Sequence, residues 1–245
     1  MKNLTTYINE WKVNPDTIES IEKQDISQYF IYEIHELQEI RIFNSRYWSY
    51  HTNYDNKVYI NGEHVELDNL GWTAEVYKPG IYKIEIKDIN EVRGCSFMFD
   101  NCEQLISVPL FDISRVERTN AMFGNCTHLK HVPSFNTKNV KNMSGMFFNC
   151  SELKEVPLFD TSKVENMHSM FKYCENLKTI PKFNTKNVKY MITMFWDCNK
   201  LESVPLFDIS NVKDINNMFC YCDNLNEKTK KAWSQIYDFE TNNKK

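Results

Sequence analysis

The chain has 245 residues, 42% of them hydrophobic, and a formal net charge of −4. That length allows one or two domains with a substantial buried core, and the slight acidity argues against a dedicated nucleic-acid binder. The opening MKNLTTYINEWK lacks the apolar run of a secretory signal, and no stretch nears the roughly 18 apolar residues of a membrane-spanning helix. The expectation is a cytoplasmic chain that reaches a surface only by an unconventional route. Charge is unevenly divided, with 10 basic and 16 acidic side chains in residues 1–93 (−6) and 19 and 17 in the remainder (+2).

Residues 1–80 do not repeat and read as a small α+β domain. NLTTYINEWK and PDTIESIEKQ look helical, the second with Pro15 at its start. KVYINGEHVEL and WTAEVYKPGIYKIEI read as strands, with Asn61-Gly62 as a tight hairpin turn. Trp11, Trp48 and Trp72 belong to this part of the chain.

From Met98 onward the chain repeats every 24 residues. Set in register on MF, the units begin at Met98, Met122, Met146, Met170, Met194 and Met218. Cys follows four residues later, at 102, 126, 150, 174, 198 and 222, and Leu three residues after that. Val-Pro or Ile-Pro comes next, then Phe two residues after each Pro, then a Val column at 116, 140, 164, 188 and 212. No insertion interrupts the units, so each occupies the same volume as its neighbour. This pattern predicts a stacked solenoid over 81–225. Residues 81–97 would be a degenerate capping unit, with Ile81 and Ile84 in the places of Leu105 and Val108 and Cys95 in the place of Met143 and Met167. Residues 226–245 would supply a capping helix carrying Trp233, Ile236 and Tyr237, then a frayed tail from Thr241.

Within one unit, L-x-x-V-P reads as a short strand, and F-D-T-S or F-N-T-K as a turn in which Asp or Asn bonds its own backbone. V-x-x-M-x-x-M-F-x-x-C has helical or 3₁₀ spacing. The expected coil is therefore strand, turn, short helical return and turn. Stacking would give a parallel sheet on one face and short helices on the other. The Cys column reads as a ladder of small buried side chains, with disulfides between rungs as the alternative. No C-x-x-C pair makes a zinc site, and no cofactor is expected. The Asp/Asn column (Asp112, Asn136, Asp160, Asn184, Asp208) fits turn capping better than calcium, since Asn alternates with Asp.

The motif resembles the BspA-type leucine-rich repeats, written M-F-x-x-C-x-x-L-x-x-V-P-x-F-D-T-S-x-V-x-N-M; MFFNCSELKEVPLFDTSKVENM matches it nearly throughout. That resemblance implies a leucine-rich-repeat-like α/β solenoid and a role in binding rather than catalysis. Members are often bacterial surface proteins that attach to host proteins, and others are encoded by bacteriophage and gut bacteria.

Columns of one residue type carry packing, and columns that vary are free to carry recognition. Two surfaces vary here. Between MF and Cys stand Phe148, Tyr173, Trp196 and Tyr221, an aromatic ridge suited to a partner or to packing on itself. On the strand face, the residue after Pro is Leu110, Ser134, Leu158, Lys182 and Leu206, with His131 and Glu155 two residues before Pro. That mixture suits a protein partner, or a solvated sheet. Catalysis has little support. Only six Gly are present, without a phosphate loop, and His128 and His131 form no dyad. The sequence thus predicts a non-enzymatic protein-interaction module, bacterial or phage-encoded, that binds and possibly inhibits a host protein. The alternatives are a surface adhesin for host extracellular proteins, and an enzyme with a pocket at His35, His51 or His64.

Overall fold

The computed structural model describes residues 29–34, 38–42, 58–65, 73–76, 80–86, 92, 94–241 and 243–244. The helices expected over 3–12 and 15–24, and Trp11, Trp48, Trp72, His35 and His51, lie outside the described residues.

Among the described residues, seven strands precede or open the repeats: β1 (Phe30–Ile34), β2 (Gln38–Arg41), β3 (Val58–Ile60), β4 (Glu63–Val65), β5 (Thr73–Val76), β6 (Gly80–Ile86) and β7 (Leu105–Ser107). β2 pairs antiparallel with β5, and the others form one sheet in the order β4-β3-β6-β1-β7. β3 and β4 make the expected hairpin. Asn61 (φ 52°) and Gly62 (φ 90°) take the left-handed conformations that a two-residue turn with the strands' twist requires. Asn61 Oδ1 then accepts the Lys83 N–H at 2.7 Å and pins the turn to β6.

The structure corrects the reading of 81–97 as a leading coil. β6 runs antiparallel to both β1 and β3, and β1, not β6, lies beside β7. The reason is chemical. Gly80–Ile86 contains no Pro, so it keeps a full ladder on both edges, which the Pro-bearing units cannot. Only from Cys95 does the leading segment stack, with the Phe97 N–H on Asn120 O at 2.9 Å and Ser96 Oγ on Asn120 Oδ1 at 2.7 Å.

The helical return expected in each unit is also corrected. Residues 143–153 form consecutive tight turns: Met146, Phe148, Cys150 and Leu153 donate to the carbonyls of Met143, Gly145, Phe147 and Cys150 at 2.9–3.2 Å. The amides between them point out of the coil. Met143, Gly145, Phe147 and Asn149 donate to Asn166, His168, Met170 and Lys172 in the next unit at 2.7–2.9 Å. An α-helix gives its interior amides to its own segment. Here left-handed residues, Gly145 (φ 59°) and Asn149 (φ 57°), interrupt the helix and turn alternate amides toward the neighbour. The buried Met146, Cys150 and Leu153 each close an i→i+3 turn, so the apolar spacing imitates a helix.

This turn side carries the long parallel register, through bridges Arg118–Asn142–Asn166–Tyr190–Asp214. The proline side was expected to hold the sheet. Beyond β7 it has only the single bridges Ser107–His131 and Thr179–Ser203. Pro109, Pro133, Pro157, Pro181 and Pro205 lack the N–H that a continuous ladder needs.

Between the two sides runs a column-built core. Phe99, Phe123, Phe147, Phe171, Phe195 and Phe219 stack with centroids 5.4–5.7 Å apart and planes within 8°. Such aromatic pairs contribute about 0.5–1.5 kcal/mol each beyond their burial. Six buried thiols, Cys102 to Cys222, stand beside them, and all eight cysteines are free. From Cys126 on, each Sγ donates to the Phe carbonyl of the preceding coil, as Cys150 does to Phe123 at 3.1 Å. Buried Thr137, Thr161 and Thr185 donate forward to Asp160, Asn184 and Asp208 at 2.7–3.0 Å.

Both ends of the core are covered. Phe30 of β1 lies 5.4 Å from Phe99, and the Ile42 carbonyl accepts from Cys102 Sγ at 3.6 Å, standing where a preceding coil's Phe would. At the far end Asn226 caps helix α1 (Glu227–Trp233) through the Thr229 N–H. Trp233 packs 5.1 Å from Phe219, and its Nε1 donates to Val204 O. Tyr237 lies in β8 (Tyr237–Asp238) rather than the helix, and its hydroxyl accepts the Phe219 N–H, an edge donor of the last coil. The tail expected to fray forms β9 (Asn243–Lys244), paired with β8.

Candidate functional site

The variable positions emerge where the coil changes direction, and the backbone decides which are presented. The residue two after Pro is the Phe whose ring enters the core, so the one between them points outward. Leu110, Leu158 and Leu206 are accordingly 64%, 61% and 49% exposed, although apolar. They recur on alternate coils, with exposed Ser134 and Lys182 between them. His131 and Glu155 are exposed on the same side. Around them Lys130 pairs with Glu33 at 3.8 Å and Glu152 at 3.6 Å.

The ridge lies on the turn side: Phe148 and Trp196 sit one residue before the second left-handed position, and Tyr173 and Tyr221 at it. Asn101, Asn125 and Asn149 hold that position in the first three coils, as their short side chains permit. Tyr173 (φ 65°) and Tyr221 (φ 60°) hold it later, where a bulky ring has no conformational advantage. Phe148 meets Tyr173 edge-on at 5.5 Å, and Trp196 meets Tyr221 edge-on at 5.5 Å. Lys172 Nζ joins the pairs, 4.9 Å from the Tyr173 ring and 4.8 Å from Trp196. The ridge therefore does pack on itself, and of its four rings Tyr221 alone is exposed, at 59%.

The other sequence candidates fall into place as scaffold. Asp112, Asp160 and Asp208 accept the N–H of the serine two residues on at 2.8–3.0 Å, closing an Asx turn, and bonds from the hydroxyl and amide of that serine hold their carboxyl groups below the usual range. His128 Nδ1 bonds Glu103 O at 2.8 Å, a tie between coils. His64 is on β4, in register with Tyr59 of β3. Burial pushes every column thiol up, Cys222 to about 12, so the ladder stays protonated and unreactive at neutral pH. Among the described residues no group of three or more His, Cys, Asp or Glu is placed to hold a metal ion, and no helix is long and apolar enough to cross a membrane.

Two surface features escape column reading. Tyr190 is 39% exposed on the bridge column, where earlier coils hold Asn142 and Asn166. The charge of whole coils also alternates, a signal visible only when each 24-residue unit is summed. No curated protein and no solved structure matches the chain. The family model described as Mycoplasma protein of unknown function, DUF285, matches residues 78–177 and 148–242.

Proposed function

We propose that this chain, which belongs to the DUF285 family, is a non-enzymatic protein-interaction module built as a BspA-type, leucine-rich-repeat-like solenoid. One observation carries the reading. The Met, Phe, Cys and Leu columns that never change type are buried, whereas the variable columns hold large apolar side chains in solvent, Leu110, Leu158, Leu206 and Tyr221. Scattered exposed leucines need no explanation, but a row of three on one edge does. Exposed apolar side chains ringed by charge are the usual composition of a protein-binding surface. The partner is a protein, which the module holds and thereby blocks.

The test is affinity capture from a lysate of the organism encoding the chain, with three baits of equal stability. Wild type should capture a specific protein. Leu110→Ala/Leu158→Ala/Leu206→Ala or Trp196→Ala/Tyr221→Ala should lose it, and the variant that does so names the binding face. Equal capture by all three baits would overturn both candidate surfaces.

A further inference from the structure

The coils alternate in charge. Residues 98–121, 146–169 and 194–217 each carry four acidic and two basic side chains (−2). Residues 122–145 carry three basic and no acidic (+3), and 170–193 five basic and one acidic (+4). The exposed leucines follow the same two-coil period, all three in acidic coils, each two residues before Asp112, Asp160 or Asp208. The basic coils hold Ser134 and Lys182 at the leucine position, and Lys138 and Lys186 beyond.

Part of this banding binds the chain to itself, through Glu117–Lys141 at 2.8 Å and Glu165–Lys189 at 2.7 Å. Those contacts lie on the Val-column edge. On the leucine face Lys138, Lys182 and Lys186 are exposed and make no salt bridge among the described residues. That face presents apolar knobs and alternating charge, with Lys138 and Lys186 near enough to Asp112 and Asp208 to interact but in no salt bridge among the described residues.

The period selects the occupant. Neighbouring parallel strands lie about 4.8 Å apart, so knobs on alternate coils recur about every 10 Å. An extended peptide repeats its side chains about every 6.7 Å and falls out of step. A surface of matching period and opposite phase is this same face, displaced by one coil. We propose that the leucine face docks a second copy of the chain, stacks antiparallel, about a two-fold axis between coils 146–169 and 170–193. Each copy then sets its −2 coil on the other's +4 coil, and 122–145 (+3) on 194–217 (−2). Leu158 lies opposite Lys182, whose aliphatic stem covers it while the ammonium reaches the Asp160 band. Leu206 lies opposite Ser134. The contact is isologous, as a two-fold requires. It is small and charge-driven, so it is weak and sensitive to salt. The assignment rests on the reading of this face as protein-binding and leaves the aromatic ridge to any other partner.

Sedimentation equilibrium of the full chain tests it, from micromolar to millimolar, in low salt and in high salt. Wild type should dimerise in low salt, and screening in high salt should weaken the dimer by about tenfold or more. Leu158→Lys faces Lys182 with like charge and should weaken it by about tenfold or more, as should Lys182→Glu against the acidic band. Both changes in one chain restore opposite charges and should recover most of the wild-type affinity. Tyr221→Ala, on the ridge, should dimerise as wild type does. All four substituted positions or pairs are tested at matched urea midpoints, since the side chains are exposed. A monomer at every concentration in low salt would overturn the proposal, as would a dimer indifferent to Leu158→Lys. A strictly monomeric chain that still captures a foreign protein through its leucines would overturn self-docking while leaving the proposed function in place.

Discussion

The turn side and the proline side of this stack are made from the same 24 residues, yet they solve opposite problems. On the turn side alternate amides cross to the next coil, as Gly145, Phe147 and Asn149 do at 2.7–2.9 Å, and the Phe column stacks directly beneath. On the proline side the crossings are fewer and irregular, such as Lys130 N–H to Ile106 O at 2.9 Å and Glu202 N–H to Lys178 O at 2.9 Å. The difference teaches where a repeat protein can vary. Cohesion comes from the side with the continuous ladder, so the proline side is free to expose Leu110, Leu158 and Leu206.

The sharpest contrast is in thiol chemistry. The column thiols should not react with an aromatic disulfide reagent until the chain unfolds, because burial excludes the reagent and suppresses the thiolate. Half-buried Cys220 should react first, and unfolding in denaturant should release all eight. Early reaction of several thiols would break the account of a closed ladder. Next in size, Phe171→Ala should cost about 3–5 kcal/mol in urea unfolding, since it removes a ring stacked on both sides. Thr161→Val should cost about 1 kcal/mol. It leaves the Asn184 carbonyl without the hydroxyl that meets it at 2.9 Å. Leu158→Ala and Pro157→Ala should each change stability by less than about 0.5–1 kcal/mol, a value that would sink the comparison if it matched that of Phe171→Ala.

Acid should act weakly, and in a known direction. Lys141 and Lys189 hold the Glu117 and Glu165 carboxyl groups below their usual range, and serine bonds do the same for Asp160 and Asp208. A lowered folded-state pKa means that the unfolded chain takes up protons first. The stabilisation is therefore whole above the ordinary carboxylate range of about 4 and is lost as pH falls through the lowered values. Burial lowers the His168 pKa, so urea midpoints should begin a slight decline below about pH 6.5, and the carboxylate loss should add to it below about pH 5. Replacing Glu117 and Glu165 by Gln should flatten part of that decline.

Much of this was legible in the residues. The buried columns, the thiol ladder and the Asx turns at Asp112, Asp160 and Asp208 follow from what repeats. So does the lid formed by Trp233 and Tyr237. The turn side was misread for a physical reason: tight turns and helices both return a side chain to the same face after three or four residues. Only the left-handed residues tell them apart, and at Ala121, Ser169 and Thr193 nothing in the side chain announces φ near 50°. β1 was missed because Phe30 meets Phe99 across nearly seventy residues, and local pattern says nothing of long-range antiparallel pairing. Of the candidate site, the alternating leucines were visible at once. The charge bands needed each unit to be summed, and the self-packing of Phe148, Tyr173, Trp196 and Tyr221 around Lys172 needed coordinates.

Native-state hydrogen exchange tests the central contrast most directly. The amides of Phe123, Phe147 and Phe171, which donate to Met146, Met170 and Met194, should exchange only through global unfolding. Those of Lys130 and Glu202 should exchange by local opening, faster and with little dependence on denaturant. Equal protection on the two sides, or the reverse order, would contradict the division between a turn side that holds the stack together and a proline side that is free to vary.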